Sequence, residues 1–260
     1  MAEKPREWLR EKSIAKKVLS DADVVFEVVD ARIPNETRNK VIEDLAKERN
    51  KELYIIVNKI DLVPKEFLKE IKENLTKDYP LILFSAHKRL GLKELNRIIK
   101  ELAKRNKLIK IGVLGYPNVG KSSIINTLKK KKVATTSPKP GMTRGQQLVK
   151  LDRNVYLIDT PGIITLEYQD DLALKGSYLP EKLEQPIETA IKLLDKIIEK
   201  HPKSIKELYK IEPSEDSYQT LIKIGEKLNY KISGGEIDLD RTAKKLLWDW
   251  IKGNLKAYWL

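Results

Sequence analysis

IKIGVLGYPNVGKSS, residues 109–123, is the stretch that decides the fold. Ile109–Leu114 is a short apolar run of the kind that forms a buried strand. Gly115–Ser122 then fits G-x-x-x-x-G-K-[ST], and Ser123–Leu128 opens a helical pattern. Strand, loop and helix in that order are the context such a phosphate loop requires. The loop glycines let successive backbone N–H groups converge on phosphate oxygens with no Cβ in the way. The helix N-terminus adds about half a positive charge there. The backbone around Asn118, Val119, Gly120, Lys121, Ser122 and Ser123 is the phosphate-binding candidate. Lys121 reaches the β- and γ-phosphates as a catalytic cation, and the Ser122 hydroxyl is a candidate Mg²⁺ ligand.

Working outward, the first ~165 residues alternate strand-like and helix-like pieces. Asp23–Val29, Leu53–Val57, Leu81–Phe84, Gln147–Leu151 and Val155–Ile158 read as further strands, several of them continuous apolar runs suited to a parallel sheet. Between them, Val41/Ile42/Leu45, Phe67/Leu68/Ile71/Leu75 and Leu92/Leu95/Ile98/Ile99/Leu102 keep helical spacing. The expectation is an α/β domain over residues 1–178, with a mostly parallel sheet covered by helices on both faces. Residues 179–260 read as a small all-helical domain. Pro186 suits a helix start, Ser214 is a candidate cap for a later helix, and Gly253 a candidate stop.

Asn58-Lys59-Ile60-Asp61 follows the strand Leu53–Val57. A carboxylate can accept from both N1–H and the 2-amino group of guanine, and adenine offers no such pair. Asp61 supplies it, Asn58 can contact the opposite edge, and the Lys59 stem can lie along the base. Ser85-Ala86-His87 also ends a strand, and the Ala86 N–H can donate to the guanine O6. His87 reads as a loop residue. Asp159-Thr160-Pro161-Gly162 closes the strand Val155–Ile158. There Asp159 can hold Mg²⁺ through water and the Gly162 N–H can contact a γ-phosphate. Pro140-Gly141-Met142-Thr143-Arg144 forms a polar, glycine-hinged loop; Thr143 is the second hydroxyl expected on Mg²⁺, with Thr135 and Thr136 as rivals. Loops that gain contacts only with γ-phosphate and Mg²⁺ act as order–disorder switches.

The 260 residues include no cysteine, which excludes disulfides, cysteine–zinc sites and thiol nucleophiles. The opening MAEKPREWLREKS has no apolar signal core, and no run approaches 18 apolar residues, so a cytoplasmic protein without membrane contact is expected. Residues 88–150 carry 17 Lys and Arg against two acids, more than the whole formal charge of +13. Such a concentration on a protein of this kind faces a polyanion. The densest run is Lys129–Lys132, and the helix Leu92–Leu102 shows Lys93, Arg97, Lys100, Lys104 and Arg105, the last two just beyond its end. Near the C-terminus Trp248, Trp250 and Trp259 lie among lysines. Trp250 is in phase with core positions, whereas Trp259 is the exposed candidate for stacking on unpaired bases.

The five nucleotide motifs stand in an unusual order, N-K-I-D and S-A-H before the phosphate loop, P-G-M-T and D-T-P-G. In this order, and in the segment Asp30-Ala31-Arg32-Ile33-Pro34, the chain resembles the circularly permuted GTPases of the YlqF/RbgA ribosome-assembly family. The resemblance is strong over residues 20–165 and weaker at Asp240…Ala243…Asp249-Trp250…Gly253. It implies a Mg²⁺-dependent GTP/GDP switch that matures the large ribosomal subunit and contacts rRNA, expected as a monomer. Ile163 stands where many GTPases carry the glutamine that orients the attacking water. Asn118 resembles the asparagine that ligates K⁺ in potassium-activated GTPases, loop hydrogen bonding being its other reading. No histidine precedes His87, so the N-terminal catalytic histidine of bacterial members has no counterpart. Slow hydrolysis without an activator is therefore expected. Two alternatives stay open: an RNA-binding module that holds guanine nucleotide with little turnover, and a GTPase acting on tRNA or an RNA-modifying complex.

Overall fold

A computed structural model describes residues 16–130, 147–159 and 169–260. Thr143, its rivals Thr135 and Thr136, Gly162, Ile163, Lys131 and Lys132 lie outside them. The chain divides into two compact units, Met1–Leu166 and Glu167–Leu260. Residues 169–178 thus group with the helices rather than with the sheet.

The first unit is built on one six-stranded sheet: β1 Val24–Asp30, β2 Glu52–Asn58, β3 Leu81–Leu83, β4 Ile109–Leu114, β5 Gln147–Lys150 and β6 Val155–Asp159. Their spatial order is β3-β2-β1-β4-β6-β5. All neighbours run parallel except β5 and β6. The helices are α1 Pro34–Thr37, α2 Lys40–Glu48, α3 Lys65–Leu75, α4 Leu92–Ala103 and α5 Lys121–Lys130. β1 and β4 lie side by side at the centre, although the chain builds β2 and β3 between them. The segments leaving β1, β2, β3 and β4 therefore gather at one end of the sheet, outside the carboxyl ends of parallel strands, where such folds bind ligands.

Every residue of β1 is buried, which explains its apolar sequence VVFEVVD and singles out its one interior acid. Glu27 Oε1 accepts the Asn39 N–H at 2.6 Å, while Oε2 is buried without a partner. Burial pushes its carboxyl from 4.5 up to about 8, against the pull of the Asn39 N–H. An acid whose pKa rises on folding makes the folded state bind the extra proton. Stability is thus fully present below about pH 4.5 and is lost as pH climbs towards 8, at about 1.4 kcal/mol per unit. Glu27→Gln keeps the acceptor for Asn39 and removes the charge. Urea unfolding is expected to show the variant gaining on the wild type between pH 5 and 8 by on the order of 3 kcal/mol. A gap independent of pH would contradict this assignment.

The second unit packs α6 Gln169–Leu174, α8 Pro202–Tyr209, α9 Ser217–Lys227 and α10 Leu239–Lys252 around α7 Pro186–Lys200. Pro186 occupies the first turn of α7, and Gly253 ends α10 in the left-handed region at φ 76°. The cap of α9 is Asp216 rather than Ser214, its carboxylate accepting from the N–H groups of Tyr218 and Gln219. The tail after Gly253 folds back on the helices. Trp259 stacks on Trp250 with ring centroids 5.4 Å apart and planes within 6°. At 9% exposure Trp259 is a packing residue, not the open stacking platform expected from the sequence. Trp250 is fully buried and donates its indole N–H to the Leu174 carbonyl at 2.8 Å. Asp249 ties this corner together by accepting from the Tyr209 hydroxyl at 2.8 Å, from Asn254 Nδ2 at 2.9 Å and from Lys245. Trp248 is the half-exposed tryptophan of the three.

Candidate nucleotide-binding site

The phosphate loop leaves β4 at Gly115 and enters α5 at Lys121. Gly120 has φ 103°, and a Cβ there would lie 2.1 Å from Asn58 Nδ2. Only glycine fits, because the base-reading loop is pressed against the phosphate loop at this point. Asn58 makes that junction. Its Nδ2 donates to the Val119 carbonyl at 2.8 Å, and its Oδ1 accepts the Ala86 N–H at 3.2 Å. One buried amide thus joins the ends of β2, β3 and β4. The sequence reading put Asn58 against the base edge and aimed the Ala86 N–H at the guanine O6. In the structure these two groups bond to each other.

Lys121 is buried, and its ammonium donates to the carbonyl of Gly115 at 2.9 Å and to that of Tyr116. The start of the loop is wrapped around this cation. Ser122 and Ser123 are exposed at the head of α5. Asn118 sits in the left-handed region at φ 58°, within the turn between β4 and α5.

Asp61 lies in a single 3-10 turn, Ile60–Leu62, set up by the left-handed Lys59 at φ 65°. The Ser85 hydroxyl donates to Asp61 Oδ1 at 2.5 Å and itself accepts the Lys88 N–H at 2.9 Å. Ser85 is fully buried. This bond fixes the direction of the Asp61 carboxylate, which is only half-buried.

Lys59 extends to Asp30 at the end of β1, its Nζ 2.6 Å from Oδ2. Asp30 also holds Arg32, through Nε at 3.0 Å and Nη2 at 2.8 Å, and accepts the Arg32 N–H at 3.0 Å. Burial alone would raise the Asp30 carboxyl. The charges of Arg32 and then Lys59 outweigh it and hold the group well below the usual carboxylate range. Lys59 is lowered, because loss of water around its ammonium exceeds the attraction of Asp30. Sequence reasoning noticed Asp30-Ala31-Arg32 only as a family mark. The available signal was an acid followed two residues later by a base at the end of a strand beside the guanine-reading loop.

No cluster of three His, Cys, Asp or Glu side chains forms among the described residues. A magnesium ion bound with a nucleotide needs none, since phosphates and water supply most of its oxygens. Ser122 heads α5 and Asp159 ends β6, the strand beside β4. A hydroxyl and a carboxylate are the hard oxygen donors that suit Mg²⁺.

Residues 110–225 match the 50S ribosome-binding GTPase family. The uncharacterized GTP-binding protein MJ1464 of Methanocaldococcus jannaschii is 41% identical over 249 residues, which cover 95% of this chain and 66% of that one. The chain carries a GTPase domain of this kind, with Asn58–Asp61 standing ahead of the phosphate loop Gly115–Ser122 in the sequence. Nucleolar GTP-binding protein 2 of Cryptococcus neoformans var. grubii is 39% identical over 93% of this chain and 37% of its own length. Nuclear/nucleolar GTPase 2 of Arabidopsis thaliana is 35% identical over 93% and 43%. The chain therefore spans about two thirds of the archaeal relative and about two fifths of the eukaryotic ones. A GDP-bound structure of TM YlqF shares the fold, with a TM-score of 0.64 and 22% identity, over 93% of this chain and 95% of that chain. The family makes guanine nucleotide the cofactor. Among the described residues no helix is long and apolar enough to cross a membrane.

Proposed function

We propose that this GTPase hydrolyses GTP with Mg²⁺ and acts as an assembly factor on the large ribosomal subunit or its precursor. One observation supports the nucleotide reading: Asn58 bonds both the phosphate loop and the Ser85-Ala86 loop, so three motifs separated in sequence meet at one place. Asp61 reads N1–H and the 2-amino group, and Asn58 and Ser85 keep the reading loops in place. The loop N–H groups, the N-terminus of α5 and Lys121 hold the β- and γ-phosphates. As water adds to the γ-phosphorus, the bond to the β–γ bridging oxygen breaks, and these donors face the charge that builds on the departing GDP. Ser122, Asp159 and Thr143 are the proposed residues that would hold Mg²⁺, which would neutralise phosphate charge there. K⁺ beside Asn118 is a further candidate cation. The Gly162 N–H is the proposed contact to the γ-phosphate, and the alkyl side chain of Ile163 has no polar group to orient the water.

The ribosomal target is supported by the family's description and by the relatives' names, and the basic sheet unit suits an rRNA partner. The protein acts as a monomer in the cytoplasm. Turnover in Mg²⁺ buffer is expected to be slow for the protein alone and to rise at least tenfold on adding large ribosomal subunits. If subunits bind without raising turnover, the chain is a nucleotide-dependent RNA-binding module, the reading that Ile163 favours. Fast turnover in sodium buffer without any particle would refute the need for an activator.

A further inference from the structure

The cations predicted to face RNA do not all remain available. Arg97 pairs with Glu94 and Glu101, both at 2.6 Å, and Arg105 pairs with Glu52 at 2.7 Å. What survives collects elsewhere. Asn154, in the turn between β5 and β6, donates from Nδ2 to the carbonyl of Arg105 at 2.6 Å and to that of Lys107 at 2.5 Å. This clip brings Arg153 beside the α4–β4 loop with Lys104 and Lys107, and all three are exposed. Next to them the sheet register sets Lys110 opposite Tyr156 and Tyr156 opposite Lys150. Directly paired residues share a face, so a lysine–tyrosine–lysine row crosses three strands. Val18 and Ala22 cover the same face higher up, where they meet Gly112, while Tyr156 and Lys110 stay half-exposed and Lys150 exposed. Leu108, at 48% exposure, lies between the row and the loop.

None of Lys104, Lys107, Lys110, Lys150 and Arg153 has an ion-pair partner among the described residues. Three acids adjoin them, one being Glu52, which is paired with Arg105 and lies within electrostatic reach of Lys107. Asp23 accepts the Lys110 N–H and Asp152 the Arg153 N–H, so each has one oxygen engaged by backbone. The patch surrounds the amino end of β4, whereas the phosphate loop leaves its carboxyl end, about 20 Å away for a six-residue strand.

We infer that this corner of the sheet, Lys104, Lys107, Lys110, Lys150 and Arg153 around Tyr156, is a docking surface for the phosphate backbone of RNA. Unpaired cations set around an open aromatic suit a phosphodiester chain with a stacked base. An acidic protein would satisfy the charge but gives no reason for the aromatic in the row. Lying at the end of the sheet opposite the nucleotide, the surface holds RNA without covering the GTP site. The inference rests on the ribosomal reading above.

The test uses the full chain, purified large ribosomal subunits and a fluorescent GDP. Lys104→Glu/Lys107→Glu/Arg153→Glu is expected to bind subunits at least tenfold more weakly at 100 mM salt. The slope of log affinity against log salt is expected to fall by about two to three. GDP affinity and melting temperature stay within twofold and about 2 °C of the wild type. The same three positions changed to Gln show the same direction with a smaller loss, which separates lost attraction from added repulsion. Unchanged affinity and slope in both variants would overturn the inference, as would loss of GDP binding together with subunit binding. Binding that survives ribonuclease treatment of the particles would assign the patch to an acidic protein and overturn the RNA assignment. A wild type that binds GDP but no subunits would instead refute the ribosomal reading itself.

Discussion

Asp61→Asn is expected to turn the site from guanine to xanthine nucleotides. The carboxylate of Asp61 accepts from two donors on the guanine edge. An amide presents one acceptor and one donor, so its NH₂ group meets the 2-amino group, donor against donor. A site built to satisfy such a pair rejects the mismatched partner by roughly 10⁴-fold. Xanthine carries a carbonyl at that position, and the amide donor then finds an acceptor. The geometry survives the change, because the Ser85 hydroxyl, 2.5 Å from Asp61 Oδ1, can donate equally well to an amide oxygen. Competition against a fluorescent nucleotide with GDP and XDP measures both affinities. A variant that still prefers GDP would remove Asp61 from its assigned role.

Asp30→Asn is expected to cost both stability and nucleotide affinity. Asp30 and Arg32 are each 1% exposed, and Lys59 shares the same carboxylate. Removing the acid takes away the carboxylate that Arg32 and Lys59 share, and breaking a buried ion pair by removing one partner costs about 3–5 kcal/mol. For a unit of this size the melting temperature falls by roughly 10 °C. Acid titration carries the opposite sign to Glu27. A carboxyl held low contributes stability above its unfolded value of 3.8, and that contribution fades only as pH falls below it towards the lower folded value. The variant therefore lacks part of the acid-induced loss. Lys59, freed from its tether, no longer lies in one place beside the base, and GDP leaves faster. Asp30→Asn/Arg32→Met separates the two effects, since it removes both buried charges and is expected to recover most of the melting temperature but not the GDP off-rate. A double variant with wild-type GDP kinetics would leave Asp30 a purely structural residue.

Most of the architecture was legible in the sequence because parallel strands are buried on both faces and read as apolar runs. Ile109–Leu114 was placed to the residue, and the other strands shifted at their ends by one residue. The side-chain partners were not legible. A motif such as N-K-x-D states which residues gather but not which bonds they make, so Asn58 read as a base contact when its amide spans a 61-residue gap to Val119. Trp259 looked exposed because helical phase says nothing about a tail beyond Gly253, which in the structure returns to stack on Trp250. Arg97 and Arg105 counted fully in the charge of their helix until neighbours at i−3 and i+4, and Glu52 across the fold, neutralised them. Lys110 and Lys150 lie 40 positions apart in sequence and are drawn together only by the register of β4, β6 and β5.

The permuted chain order bears on how the protein is made. β1 leaves the ribosome before either of its neighbours in the sheet, and β4, which closes its second edge, begins 79 residues after β1 ends. At 5–20 residues per second, translation leaves that edge open for roughly 4–16 s. An apolar strand with unpaired backbone groups is a template for wrong pairing during that time. Glu27 stands at its midpoint, VVF before it and VVD after it. In the nascent chain that carboxyl is hydrated and charged, a gatekeeper against association with another strand. Once β2 and β4 enclose it, the same group can take up a proton and cease to oppose burial, so the charge acts during synthesis and recedes on folding.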